Sequence, residues 1–124
     1  VYNNAPPRWA AEVPGVPPPP SAFALAAGGR AAAFLFVSPM RVRLPPGGAN
    51  KVLWAVDPGA GADVVLRIVA RREGHGRARR FSAAAGDSNG RVFRTRLRFS
   101  RPGCWRLALR WGVRHAVLDV AVRP

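Results

Sequence analysis

The chain has 124 residues, a length that fits one domain and allows a real core without covalent staples. Its 20 basic residues against 6 acidic ones give a formal charge of +14, a balance that draws a protein toward anionic surfaces and polymers. No apolar run approaches the ~18 residues of a membrane-spanning helix, and a lone cysteine, Cys104, excludes a disulfide within the chain.

Lys51 is the only lysine, and the other nineteen basic residues are arginine. GC-rich coding favours arginine, alanine, glycine and proline, so codon usage supplies part of this count. It does not account for the scarcity of acids. The chain opens with Val1 rather than Met and shows no signal peptide, which suggests a fragment or a processed form.

Residues 1–20 read as a proline-rich, extended leader or linker. They hold Pro6, Pro7, Pro14 and the run Pro17 to Pro20. Proline fixes φ and lacks an N–H, so such a segment leans toward polyproline II and stays out of sheet interiors. It is expected to act as a spacer, touching the domain through Trp9 if at all. A proline-rich recognition segment is the alternative.

The domain is expected over residues 21–124. Ser21 to Ala27 is a first strand, and Gly28-Gly29 turns the chain. Ala31 to Val37 and Met40 to Leu44 are two strands, or one strand bent at Ser38-Pro39. Asn50 to Asp57 is apolar on both faces, as a central strand should be. Val64 to Ala70 is the next strand, with Val64, Leu66 and Ile68 on one face. Arg71 to Arg80 reads as a polar loop, and Ala83 to Gly90 as a small, polar, mobile one. In Arg91 to Phe99, Phe93, Thr95, Leu97 and Phe99 face one way and Arg94, Arg96 and Arg98 the other. Pro102 to Gly112, P-G-C-W-R-L-A-L-R-W-G, alternates Trp105, Leu107, Leu109 and Trp111 against Arg106, Ala108 and Arg110. Ala116 to Val122 closes the domain.

Short strands punctuated by turns at about ten-residue spacing argue for a sandwich or barrel. The last two strands should form a hairpin. Pairing Trp111 with Ala116 sets Leu109 opposite Leu118, Leu107 opposite Val120 and Trp105 opposite Val122, and leaves Asp119 opposite Ala108. The connection from Phe99 to Trp105 suits a crossover between two sheets at least as well as a hairpin. The expected fold is therefore an all-β, immunoglobulin-like β-sandwich of about seven or eight strands behind a proline-rich N-terminal extension.

Three stretches carry a resemblance: F-L-F-V-S-P-M-R-V at Phe34 to Val42, A-N-K-V-L-W-A-V-D at Ala49 to Asp57, and the stretch from Pro102 to Gly112. Together they resemble a family of small actinobacterial secreted or lipid-anchored proteins of uncharacterised function. The resemblance spans Phe34 to Val122. It implies an immunoglobulin-like domain outside the cytoplasm and no particular activity. Arg91 to Arg98 is more basic than that family leads one to expect.

Two arginine groups are the candidate anion- or partner-binding residues. Arg94, Arg96 and Arg98 form an exposed stripe, and Arg77, Arg79 and Arg80, with Arg71 and Arg72, form a second cluster around Gly74 and Gly76. The stripe would contact phosphate, anionic lipid headgroups or acidic glycan, since arginine holds such groups in a planar, bidentate fork. The competing reading of the stripe is a solvated strand face protecting an edge; for the cluster it is a disordered, soluble loop. Nucleic acid is disfavoured as a partner: single-strand binding needs aromatics beside the cations and here they alternate inward, and a place outside the cytoplasm weakens the case further. Cys104 reads as a small, partly buried apolar residue, with a redox-active thiol or a cross-link to a partner as the alternative; Arg101 and Arg106 would lower its pKa if it were reactive. His75, His115 and Met40 are scattered, and no metal site, cofactor or catalytic residue is expected. Trp9, Trp54, Trp105 and Trp111 read as core or core-edge packing.

The expectation is thus a non-catalytic, extracytoplasmic binding or structural module, a candidate subunit of a cell-surface assembly. Its partner would be another protein or a cell-envelope component, with membrane attachment only through a lost N-terminal anchor. The alternative is a binder of anionic polymers or anionic lipid surfaces through an arginine-rich face.

Overall fold

A computed structural model describes residues 5–124, the side chain of His75 excepted. Residues 1–4 of the leader lie outside the described part, as does His75 as a metal-ligand candidate. The elements are α1 Arg8–Ala11, β1 Phe23–Leu25, β2 Ala31–Leu35, β3 Met40–Arg41, β4 Asn50–Val56, β5 Val65–Arg72, β6 His75–Ala84, β7 Val92–Leu97, β8 Gly103–Trp111 and β9 Arg114–Arg123. They form an all-β sandwich of a four-stranded sheet, β1-β2-β4-β7, and a five-stranded sheet, β3-β9-β8-β5-β6. Every pairing is antiparallel except β3 with β9.

Period-two patterning builds this arrangement. Alternate residues of β7, β8 and β9 are buried, and β4 is buried at six of its seven positions because both of its faces are covered. Between the sheets lie Trp54, Phe93, Leu97, Leu66, Ile68, Trp105, Leu107, Leu109 and Trp111. Each buried tryptophan finds an acceptor for its indole N–H: Trp54 on Thr95 Oγ1, Trp105 on the Arg101 carbonyl and Trp111 on the Pro58 carbonyl. The Trp54 contact, at 2.8 Å, explains a threonine among the inward residues of β7.

Asn50 is fully buried and joins the two sheets. Its Nδ2 donates to the carbonyls of Arg41 on β3 and Leu97 on β7, and its Oδ1 accepts from the Arg41 N–H at 2.8 Å. Pro39 lies where the chain leaves β2 in one sheet for β3 in the other, so the two-strand reading of Ala31 to Leu44 is the correct one.

Among the described residues the strands number nine rather than about seven or eight, and three further expectations change. Arg71 to Arg80 is not a loop: β5 and β6 form a long hairpin closed at Glu73-Gly74, with Arg72 opposite His75. As the edge strand of its sheet, β6 turns only part of one face to the core, so its sequence carries little alternation. The terminal hairpin is shifted by two residues from the expected register. Trp111 pairs with Arg114, Leu109 with Ala116, Leu107 with Leu118 and Trp105 with Val120. A two-residue turn at Gly112-Val113 replaces the longer one, and Gly112 at φ +59° supplies the left-handed first position that a type II′ turn requires. Inward residues still meet inward residues, because a shift of two preserves the faces. Asp119 in consequence faces Arg106 rather than Ala108. Finally, Ala83 to Gly90 is tied down at several points. Ala85 bridges to Phe93, and Asp87 Oδ1 accepts the backbone N–H groups of Arg91 and Val92.

The leader rests on the outer face of the four-stranded sheet. Ala10 and Val13 are buried with Phe23, Ala32, Phe34, Leu53, Ala55 and Val92 in a second apolar cluster. Trp9 and Val16 pack at its margin.

Candidate anion-binding surfaces

Apart from Arg71 and Arg72, which end β5, the two arginine groups read from the sequence lie on the two strands that meet along one side of the sandwich. Arg94, Arg96 and Arg98 are exposed along β7 and just beyond it, at the edge of the four-stranded sheet. Arg77, Arg79 and Arg80 are exposed on β6, at the edge of the five-stranded sheet. The Ala85–Phe93 bridge joins these strands.

The stripe is not uniform. Arg94 lies between the leader and the β6–β7 connection: a Cβ added at Gly15 would sit 3.5 Å from its Nη2, and one at Gly86 3.0 Å from its Nη1. Arg96 donates to the Gly47 carbonyl at 3.1 Å. Across the sheet from Arg96 is Lys51, and the Lys51 carbonyl accepts the N–H of Phe36, which is 58% exposed. Phe36 therefore places an aromatic ring on the face that carries the stripe. The alternation of Arg91 to Phe99 alone could not reveal it.

On β6, Arg80 and Arg79 diverge. Arg79 extends over the Phe81 ring, 6.0 Å from its centroid. Phe81 lies 6.4 Å from Phe99, centroid to centroid, so Arg79 guards the seam between the sheets. Arg80 lies opposite Val69 on the outer face.

On that outer face Arg67, Arg106 and Arg110, which the sequence did not mark as binding candidates, join Arg71, which it did. Arg67 on β5 stands directly opposite Arg110 on β8, and Arg71 directly opposite Arg106. Directly opposed side chains in antiparallel strands have Cβ atoms about 5 Å apart, and like charges so placed destabilise the sheet. Asp119 relieves one of these pairs: Arg106 donates to its two carboxylate oxygens at 3.0 and 3.4 Å. The pair also strengthens the hold of Arg106 on its proton. Arg67 and Arg110 have no such relief. The described residues form three ion pairs, Arg8–Glu12, Arg30–Asp57 and Arg106–Asp119, and neither arginine is in them.

Arg67, Arg110, Arg80 and His115 rim a shallow hollow of about 700 Å³, whose floor includes Val69, Ala108 and Val117. A second, smaller hollow of about 400 Å³ is lined by Arg71, Arg72, Glu73 and Arg106 near the hairpin turn. The signal for this face was present in sequence as arginines four apart in two strands, Arg67 and Arg71, Arg106 and Arg110. Only the register shows that they meet.

Cys104 is exposed rather than partly buried, and lies beside the second hollow. Partial desolvation, followed by the carboxylates of Glu73 and Asp119, pushes its thiol above the ordinary range and outweighs Arg106. No group of three or more metal-binding side chains occurs among the described residues, and no helix is long and apolar enough to cross a membrane. No family model matches the chain, and neither does any curated protein or solved structure.

Proposed function

We propose that this domain is a non-catalytic binding module for anionic polymers, with the outer face of the five-stranded sheet as its main contact surface. The observation that carries the proposal is the Arg67–Arg110 pair, two guanidinium-bearing residues directly opposed across β5 and β8 without a carboxylate to separate them. A fold does not place like charges there for its own stability. An anion seated between the two forks, with Arg80 on the rim of the same hollow, converts the repulsion into binding. The apolar floor of Val69, Ala108 and Val117 lets a chain lie close to the sheet.

The strand order supports the immunoglobulin-like reading of the sandwich. One sheet holds β2-β4-β7 and the other β9-β8-β5-β6, β7 crosses to β8, and β3 leaves the β2 sheet to run parallel to β9. The family resemblance supports a place outside the cytoplasm, in a surface assembly or attached through an N-terminal anchor. Cell fractionation with an antibody to this chain tests that location, and recovery in the cytosolic fraction contradicts it.

Binding is tested with fluorescent polyphosphate and the double variant Arg67→Ser/Arg110→Ser. Arg8→Ser/Arg30→Ser serves as control, because it removes the same formal charge from residues already in ion pairs. The first variant is expected to lose about tenfold in affinity and about 1.4 from the slope of log K against log salt. Equal losses in both variants would mean that net charge alone acts and that the paired arginines are not a site.

A further inference from the structure

We infer that a single flexible phosphate polymer passes around the β6–β7 side of the sandwich and contacts both outer faces at once. The inference rests on the polyanion reading and adds a path and a ligand class to it. Exposed arginines occur on both faces at that side and on the β6 edge between them. Arg96 and Arg98 lie on the four-stranded face, Arg79 and Arg77 follow along β6, and Arg80, Arg67 and Arg110 lie on the five-stranded face. Arg79 spans the seam itself, stacked on Phe81, which in turn touches Phe99 beyond the end of β7. Both sheets end in cations at this side, and no ion pair of the described residues involves any of the seven arginines.

The dimensions select the ligand. Sheets packed face to face are ~10 Å apart and neighbouring strands ~4.8 Å, so the path from Arg96 to Arg110 is about 25–30 Å and turns through a half circle. A stiff polyanion cannot follow it: duplex DNA keeps its direction over about 500 Å. A single-bonded phosphate chain can. The path also offers no free ring for a base to stack on. Phe81 lies under Arg79, and Phe36 stands on the far side of Lys51 from Arg96. A base-free phosphate backbone therefore fits better than single-stranded nucleic acid, which gains much of its affinity from stacking.

Two contact regions joined by one chain bind as a unit only when that chain can span them. Affinity per phosphate should then rise once the polymer exceeds about 30 Å. The test uses the 124-residue chain, polyphosphates of about 10 and 60 Å contour, a duplex of equal charge and an oligothymidylate of equal charge. Arg77→Ser/Arg79→Ser is the informative variant, since it interrupts the path and leaves Arg67 and Arg110 in place. It is expected to bind the long polyphosphate about tenfold more weakly, to bind the short one as the unchanged protein does, and to melt at the same temperature. The duplex and the oligothymidylate should both bind less tightly than the long polyphosphate. Equal losses for long and short polymers, a duplex that binds as well, or an oligothymidylate that binds better would each overturn the inference. If instead no polyphosphate binds at low salt, the underlying polyanion reading fails as well.

Discussion

Asn50 and Cys104 show how much a single residue's meaning depends on what the fold brings to it. In sequence, Asn50 is only the polar start of an apolar strand. In the fold it is wholly buried, and its amide closes hydrogen bonds to Arg41 and Leu97 across the join between the sheets. Asn50→Ala leaves a backbone N–H and two carbonyls without their partner. It should cost about 3 kcal/mol, readable as a lower urea midpoint at an unchanged slope. Cys104 points the other way. Its sequence neighbours Arg101 and Arg106 would lower its pKa, yet partial desolvation raises it, helped by Glu73, which approaches through the β5–β6 turn, and by Asp119, through the β8–β9 register. Because the thiolate is the reactive form, alkylation by iodoacetamide at pH 8 should be slower than for a free cysteine and should accelerate in Glu73→Gln. A rate unchanged by that substitution would mean that Glu73 does not act on the thiol.

At the level of elements, alternation made most strands legible, and it failed where a strand turns only part of one face to the core. β7, β8 and β9 alternate cleanly because each has one face in the core and one in water. β6 contributes Phe81 and Ala83 to the margin of the core and little more, so H-G-R-A-R-R looked like a loop. The terminal hairpin was legible in face but not in register, because shifts of two residues satisfy the same apolar matching. The turn chemistry of Gly112 decides between them. The leader reads as a spacer from its prolines, while Ala10 and Val13 nevertheless cover Phe23, Phe34 and Leu53 on the outer face. Val13→Asp should therefore destabilise the domain by about 2–3 kcal/mol, because a charge would enter that apolar cluster. An unchanged denaturation midpoint would show that the leader does not protect this face in solution.

For the whole molecule, the charge of +14 was visible at once, but its distribution was not. Composition allows the arginines to be a by-product of coding. Three are neutralised by carboxylates, while Arg67 and Arg110 meet across two strands. That placement connects binding to stability in a way that net charge alone does not. If the opposed arginines are kept for a ligand, the free protein carries a cost of a few tenths to ~1 kcal/mol that the ligand removes. The decisive measurement is the melting temperature of the protein and of Arg67→Ser/Arg110→Ser, each with and without saturating polyphosphate. The account predicts that the variant melts higher than the unchanged protein when free and gains less from polyphosphate. A variant that melts lower when free, or that gains as much from the polymer, would contradict it.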